Sequence, residues 1–153
     1  MYKVLLVNDC KLENLIMRDM LISLGHEVVV SNEFNAARDA RELNCNVIIA
    51  NFIMKEKTGD KILQQIKDMY PKTKCILSSS NDIKLEDFNK RVIDVVIRTP
   101  VTKEKLDKVM RENGKLPDRH KKQDKQLFCT YCGGKLDDSE RLAIFCKYCG
   151  EKI

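Results

Sequence analysis

Short apolar runs alternate along the first hundred positions with longer stretches in which apolar residues recur every three or four. Lys3–Val7, Val28-Val29-Val30, Val47-Ile48-Ile49-Ala50, Cys75-Ile76-Leu77 and Val95-Val96-Ile97 are short and mostly rich in β-branched residues, so they are expected as strands. Helical spacing follows each one. Leu12, Leu15, Ile16, Met20 and Leu24 form the first stripe, closed by Gly25 as the residue that ends a helix. Ala36, Ala37, Ala40 and Leu43 form the second, and Ile62, Leu63, Ile66 and Met69 the third, stopped before Pro71. A weaker fourth helix is expected at Leu85–Arg91. The fifth opens after Pro100 with Thr102 as N-cap, carries Leu106, Val109 and Met110, and closes at Gly114. Five βα units with near-continuous apolar strands imply an α/β fold with a parallel, doubly wound sheet.

The charge separates the chain into parts. Of the net +5, residues 1–102 contribute almost nothing, with 15 Lys and Arg against 14 Asp and Glu. Residues 103–127 hold 9 against 5, and residues 128–153 are balanced. Pro117 to Gln126 is polar and without large apolar side chains, which is the composition of a solvated tether. The expected organisation is therefore a domain at 1–113, a basic linker at 114–126 and a small module at 127–153.

That small module carries two closely similar units, Cys129-Thr130-Tyr131-Cys132-Gly133 and Cys146-Lys147-Tyr148-Cys149-Gly150. A C-x-x-C turn points two sulfurs into one hollow, and the glycine after it lets backbone N–H groups approach them. Tetrahedral Zn²⁺ takes four ligands, so Cys129, Cys132, Cys146 and Cys149 are expected to share one structural ion. Leu136, Leu142, Ile144 and Phe145 are too few to form a core without such a staple. The paired knuckles resemble the zinc-ribbon family over residues 127–153, a likeness that implies metal binding and no catalysis at the metal. Cys10, Cys45 and Cys75 show no pairing pattern and are expected as core or near-core residues of a cytoplasmic protein. No transmembrane run is visible, and Met1–Val7 lacks the length of a signal peptide.

In a doubly wound sheet, ligand chemistry lies at the carboxyl ends of the strands. Those ends carry Asn8-Asp9, Asn51, Ser78 and Thr99-Pro100. At these positions, over about residues 1–112, the chain resembles the receiver domain of two-component response regulators. The motifs are "LLVND", "VIIANFIMKEKTG" with Gly59 eight residues after Asn51, "CILSS" and "VVIRTP". The resemblance implies an acidic phosphorylation pocket, and this sequence departs from it. Asn8 stands at one of the metal-binding acids, Asn51 at the phosphoacceptor aspartate and Thr99 at the lysine, whereas Asp9 and the Ser78 hydroxyl are kept. An amide is a poor nucleophile and offers a metal no charge, so Mg²⁺ binding is expected to be weak. The Asn51 amide is expected to bond Asp9, Ser78 or Thr99.

The first functional expectation is a non-enzymatic pseudo-receiver joined to a zinc ribbon and acting by protein contact. A homodimer would form through the face of the fourth helix, fifth strand and fifth helix, with Phe88, Val95 and Val101 to Met110. The second is a nucleic-acid-binding regulator gripping phosphate through Lys121, Lys122 and Lys125 and stacking bases on the ribbon aromatics. A third is an active regulator phosphorylated on Asp9 or another carboxylate, and a fourth a redox sensor that releases zinc on oxidation. Enzymatic readings find little support. Six glycines include no phosphate-cradling loop, and Ser78-Ser79-Ser80 has no histidine base beside it. His26 and His120 have no partner in sequence.

Overall fold

The computed structural model describes residues 1–112 and, further on, the backbone of two short strands at 127–128 and 135–136. The chain divides into two compact units, Met1–Pro117 and Asp118–Ile153. All five apolar runs of the first unit form strands: β1 (Lys3–Val7), β2 (Glu27–Ser31), β3 (Val47–Asn51), β4 (Lys74–Ser79) and β5 (Val95–Arg98). They pair in parallel in the order β2-β1-β3-β4-β5. The helices are α1 (Lys11–Ser23), α2 (Ala36–Leu43), α3 (Gly59–Met69) and α4 (Lys103–Arg111).

Period-two alternation splits the core into two layers. Val4 and Leu6 turn to one face with Val47, Ile49, Ile76 and Ile97, where α1 and α4 cover them with Met17, Leu21, Leu106 and Val109. Leu5 and Val7 turn to the other with Ile48, Ala50, Cys75 and Leu77, under Ala40 of α2 and Ile62, Leu63 and Ile66 of α3. The expected boundaries of α3 and α4 hold for clear reasons. Helix α3 stops at Met69, just short of Pro71, and Thr102 Oγ1 accepts the Lys105 N–H at 3.2 Å as the N-cap of α4. Gly25 follows α1 with φ +87°, a conformation that favours glycine. Gly114 lies outside the described residues.

Buried Lys74 and partly buried Lys67 lock the lower end of the sheet. The Lys74 ammonium donates to the carbonyls of Val109 and Glu112, which α4 leaves unpaired at its C-terminus. Lys67 Nζ donates to Thr73 O at 2.8 Å and to Asp94 Oδ2 at 2.9 Å, and the same Asp94 oxygen accepts the Cys75 N–H at 2.8 Å. Cys75 is fully buried, and burial pushes its thiol up to about 12, so it is an inert core residue.

Three expectations are corrected. In α1 Met17 and Leu21 are buried and the expected Met20 and Leu24 pack against the core, whereas Leu12, Leu15 and Ile16 are 65%, 51% and 51% exposed. The helix is apolar on nearly every side, so spacing alone does not choose its inner face. The β1–α1 turn chooses it: Asn8 Oδ1 accepts the Cys10 N–H at 3.0 Å, and Asn8 O accepts the Asn14 amide at 2.9 Å.

The expected fourth helix, Leu85–Arg91, is a single 3₁₀ turn at Leu85–Asp87. Asn89 ends it by bonding its own downstream backbone, with Oδ1 accepting from Arg91 N and its carbonyl accepting from Val92 N and Ile93 N. The face expected to pair there therefore carries no fourth helix. Phe88 packs edge-on against Phe52, and Val101, Leu106, Val109 and Met110 are buried in the core. Finally, Cys45 and Cys75 are buried as expected, but Cys10 is exposed. In the second unit, β6 (Leu127–Phe128) and β7 (Lys135–Leu136) pair antiparallel.

Candidate functional site: a neutral pocket at the strand ends

Strand order reverses between β1 and β3, so the crevice expected of such a sheet opens at their carboxyl ends. Val7 is in register with Ala50 and Asn51 with Ser78, which brings the residues after β1 beside the ends of β3 and β4. Thr99 follows β5, and its N–H donates to Ser79 O at 2.9 Å. Four of the five expected pocket residues thus line up along one sheet end. The fifth, Asp9, is exposed, and its carboxylate makes no hydrogen bond or ion pair with a described residue.

The Asn51 side chain satisfies itself locally. Asn51 Nδ2 donates to the carbonyl of Ile53, two residues on, at 2.7 Å. This corrects the expectation that it bonds Asp9, Ser78 or Thr99: the loop after β3 turns sharply enough to bring its own carbonyl within reach. Ser78 is buried, with Oγ 3.4 Å from Ala50 O. Thr99 is buried, and its Oγ1 has no hydrogen-bond partner among the described residues.

Two carboxylates missed in the sequence matter here. Glu13 Oε2 accepts the Asn8 amide at 2.7 Å, so an acid from the first turn of α1 reaches the pocket rim. Its position in the first turn of a helix was the available signal. Glu33, after β2, is 8% exposed, and Oε2 accepts from Glu56 N and Lys57 N at 3.2 Å each. It pins the loop between β3 and α3 that carries Asn51 into α3. Nothing local marks Glu33, because its partners lie more than twenty residues away. Among the described residues no group of three or more His, Cys, Asp or Glu side chains is placed to hold a metal ion. Beside the pocket, a groove of about 140 Å³ runs between α1 and the Thr99–Val101 segment, lined mainly by Ile16, Met17, Met20, Pro100 and Val101. The cysteines expected to bind zinc lie outside the described residues.

The first unit has the fold of response-regulator receiver domains. The chemotaxis protein CheY4 of Vibrio cholerae superposes with a TM-score of 0.67 at 21% identity, over 72% of this chain and 96% of that one. The response regulator TrrA of Thermotoga maritima, solved in complex with Mg²⁺-BeF, gives 0.67 at 18% identity, again over 72% and 96%. The receiver domain of a sensor histidine kinase from Pseudomonas aeruginosa, with magnesium coordinated in its active-site cleft, gives 0.64 at 18% identity over 71% and 93%. No protein-family model and no curated protein matches the sequence. The receiver-type fold expected from the strand-end motifs is therefore the observed one, with a 3₁₀ turn where a fourth helix was expected.

Proposed function

We propose that this chain is a pseudo-receiver: a non-enzymatic module of two-component signalling that binds protein partners and takes no phosphoryl group at Asn51. The observation that carries this reading is the Asn51 amide folded onto Ile53 O at the end of β3. A carboxylate there would be the nucleophile; an amide donating to its own loop offers neither nucleophile nor metal ligand. Two of the related structures hold magnesium, in one case with beryllofluoride. In this chain the negative charge at the corresponding end is Asp9 and Glu13, and Glu13 is engaged by Asn8. Such a pair holds Mg²⁺ weakly, and Thr99 supplies no cation for a phosphoryl group. Function then rests on surfaces, and regulation on a partner that prefers one conformation.

The C-terminal segment completes the proposal as a structural zinc ribbon. Its donor set suits the ion: two C-x-x-C-G knuckles supply four thiolates, and β6 and β7 pair on either side of the first knuckle. Cys129, Cys132, Cys146 and Cys149 would hold Zn²⁺ in a closed site that contributes folding energy rather than catalysis.

Native mass spectrometry of the full chain, with and without acetyl phosphate and Mg²⁺, tests both halves. One zinc per chain and no phosphoryl adduct is the expected result. A Mg²⁺-dependent adduct of one phosphoryl group sinks the pseudo-receiver reading and points to Asp9 or Glu13 as acceptor.

A further inference from the structure

Among the described residues the two edge strands of the sheet differ in their exposed side chains. On β5 Val95 and Val96 are half-buried, Ile97 is buried, and the exposed residue is the charged Arg98. On β2 (Glu27-Val28-Val29-Val30-Ser31) the one charge, exposed Glu27, sits at the strand's start, and the middle residues Val28, Val29 and Val30 carry neither charge nor proline, the usual devices that stop an edge from recruiting another strand. Val29 and Val30 are 36% and 41% exposed, and Phe34, just beyond, is 68% exposed. Among the described residues β2 has β1 as its sole strand neighbour.

We propose that β2 is a self-association edge, at which two copies of the chain join antiparallel about a two-fold axis at Val29 and continue one sheet across both. The backbone is oriented for it. Glu27 N donates inward to Tyr2 O at 2.9 Å. Backbone groups alternate along a strand, so Val29 and Ser31 also bond inward and Val28 and Val30 present their N–H and C=O groups outward. In the antiparallel register centred on Val29, Val28 of one copy faces Val30 of the other. These are the residues with outward groups, so each such pair exchanges two hydrogen bonds.

The side chains agree with that register. Val29 faces its own symmetry mate and Glu27 faces Ser31, so no like charges stand directly opposite. A self-complementary strand suits an isologous two-fold contact. Val28 packs on the same sheet face as α1, where α1 leaves Leu15 and Ile22 51% and 46% exposed. The occupant is a second copy because the five residues complement themselves; a register centred one residue later would set Glu27 opposite Glu33. The inference is independent of the state of the Asn51 pocket.

Sedimentation equilibrium of the full chain, together with amide exchange at low and high protein concentration, tests it. A reversible dimer is expected, with slowed exchange of the Val28 and Val30 amides as it forms. Val29→Lys places like charges opposite each other and should weaken the dimer at least ~10-fold. An equimolar mixture of Val29→Lys and Val29→Glu chains should regain it. Circular dichroism checks that each variant is folded, and the exchange measurement on the unaltered chain needs no variant. A chain that stays monomeric up to millimolar concentration overturns the proposal. So does a dimer that leaves Val28 and Val30 exchange unchanged, since its contact lies elsewhere.

Discussion

Gly59 packs its bare α-carbon against the backbone carbonyl of Asn51, so closely that a Cβ there would overlap the oxygen. The Gly59 N–H also donates to Phe52 O at 2.8 Å, closing the loop that leaves the pocket. The first turn of α3 is thereby pressed onto the end of β3, and Leu77 of β4 lies close behind.

Gly59→Ala should therefore destabilise the first unit by roughly 1–3 kcal/mol, the usual cost of forcing an extra carbon into a packed interior. The obstacle is backbone rather than a movable side chain, so the strand end must shift. Urea unfolding of the variant beside the parent measures it. A change below about 0.5 kcal/mol would mean that the contact relaxes freely.

If the chain is a pseudo-receiver as proposed, adding charge at the pocket should strengthen metal binding before it enables chemistry. Asn51→Asp sets a carboxylate at the end of β3, near Asp9, and should tighten Mg²⁺ binding by at least ~10-fold, because affinity for this ion grows with ligand charge. Calorimetric titration reads it directly. Thr99 supplies no cation, so acetyl phosphate should still label this variant poorly, and adding Thr99→Lys should raise labelling. Unchanged Mg²⁺ affinity in Asn51→Asp would mean that Asp9 points away from the metal position.

Lys74 holds the end of α4 to the start of β4 through two carbonyls. Burial lowers its pKa, while Asp94 and Glu112 act in the opposite sense. Lys74→Met keeps most of the side-chain volume but leaves both carbonyls without their ammonium donor. A loss of about 1–3 kcal/mol is expected. The amides of α4 should exchange faster in the variant, and equal exchange would show that water replaces the lysine without cost.

His26 gives the fold a pH dependence of known sign. Its ring stacks on Tyr2, with centroids 5.3 Å apart, and Nδ1 accepts the Tyr2 N–H at 3.3 Å. Burial, reinforced by the positive chain terminus, holds its pKa below the usual imidazole range. The unfolded chain then binds the proton more readily than the folded one. This contribution to stability is present above an unfolded pKa of about 6.5 and is lost as pH falls through the lower folded value. His26→Phe keeps the stack and cannot titrate, so its Tm should fall less than the parent's between about pH 7.5 and about pH 5. Parallel curves would assign the acid sensitivity to other groups.

Much of this was legible along the chain. The five strands stood out as short apolar runs; β1, β3 and β4, buried on both faces, need apolar residues at nearly every position, and few other segments do. The glycine after α1, the stop before Pro71 and the Thr102 cap were legible because each depends on a residue's own backbone chemistry. Asn51, Ser78 and Thr99 at the strand ends followed from counting once the strands were placed.

Where the sequence misled, the deciding partner was distant or the local signal was ambiguous. Leu85–Arg91 has the apolar spacing of a helix, yet Asn89 captures its own backbone and Phe88 turns onto Phe52, thirty-six residues earlier. Helix α1 is apolar on so many sides that its rotation was settled by hydrogen bonds to Asn8.

The sequence by itself determined the strands, the parallel α/β class and the presence of the amides Asn8 and Asn51 at the strand ends, because these depend on residue type and short-range spacing. Tertiary structure alone decided which face of α1 turns inward, where the Asn51 amide points, that Glu33 clamps the neighbouring loop and that β2 has β1 as its sole strand neighbour among the described residues. Each of these is a choice among alternatives of similar local energy, and contacts from far along the chain tip the balance.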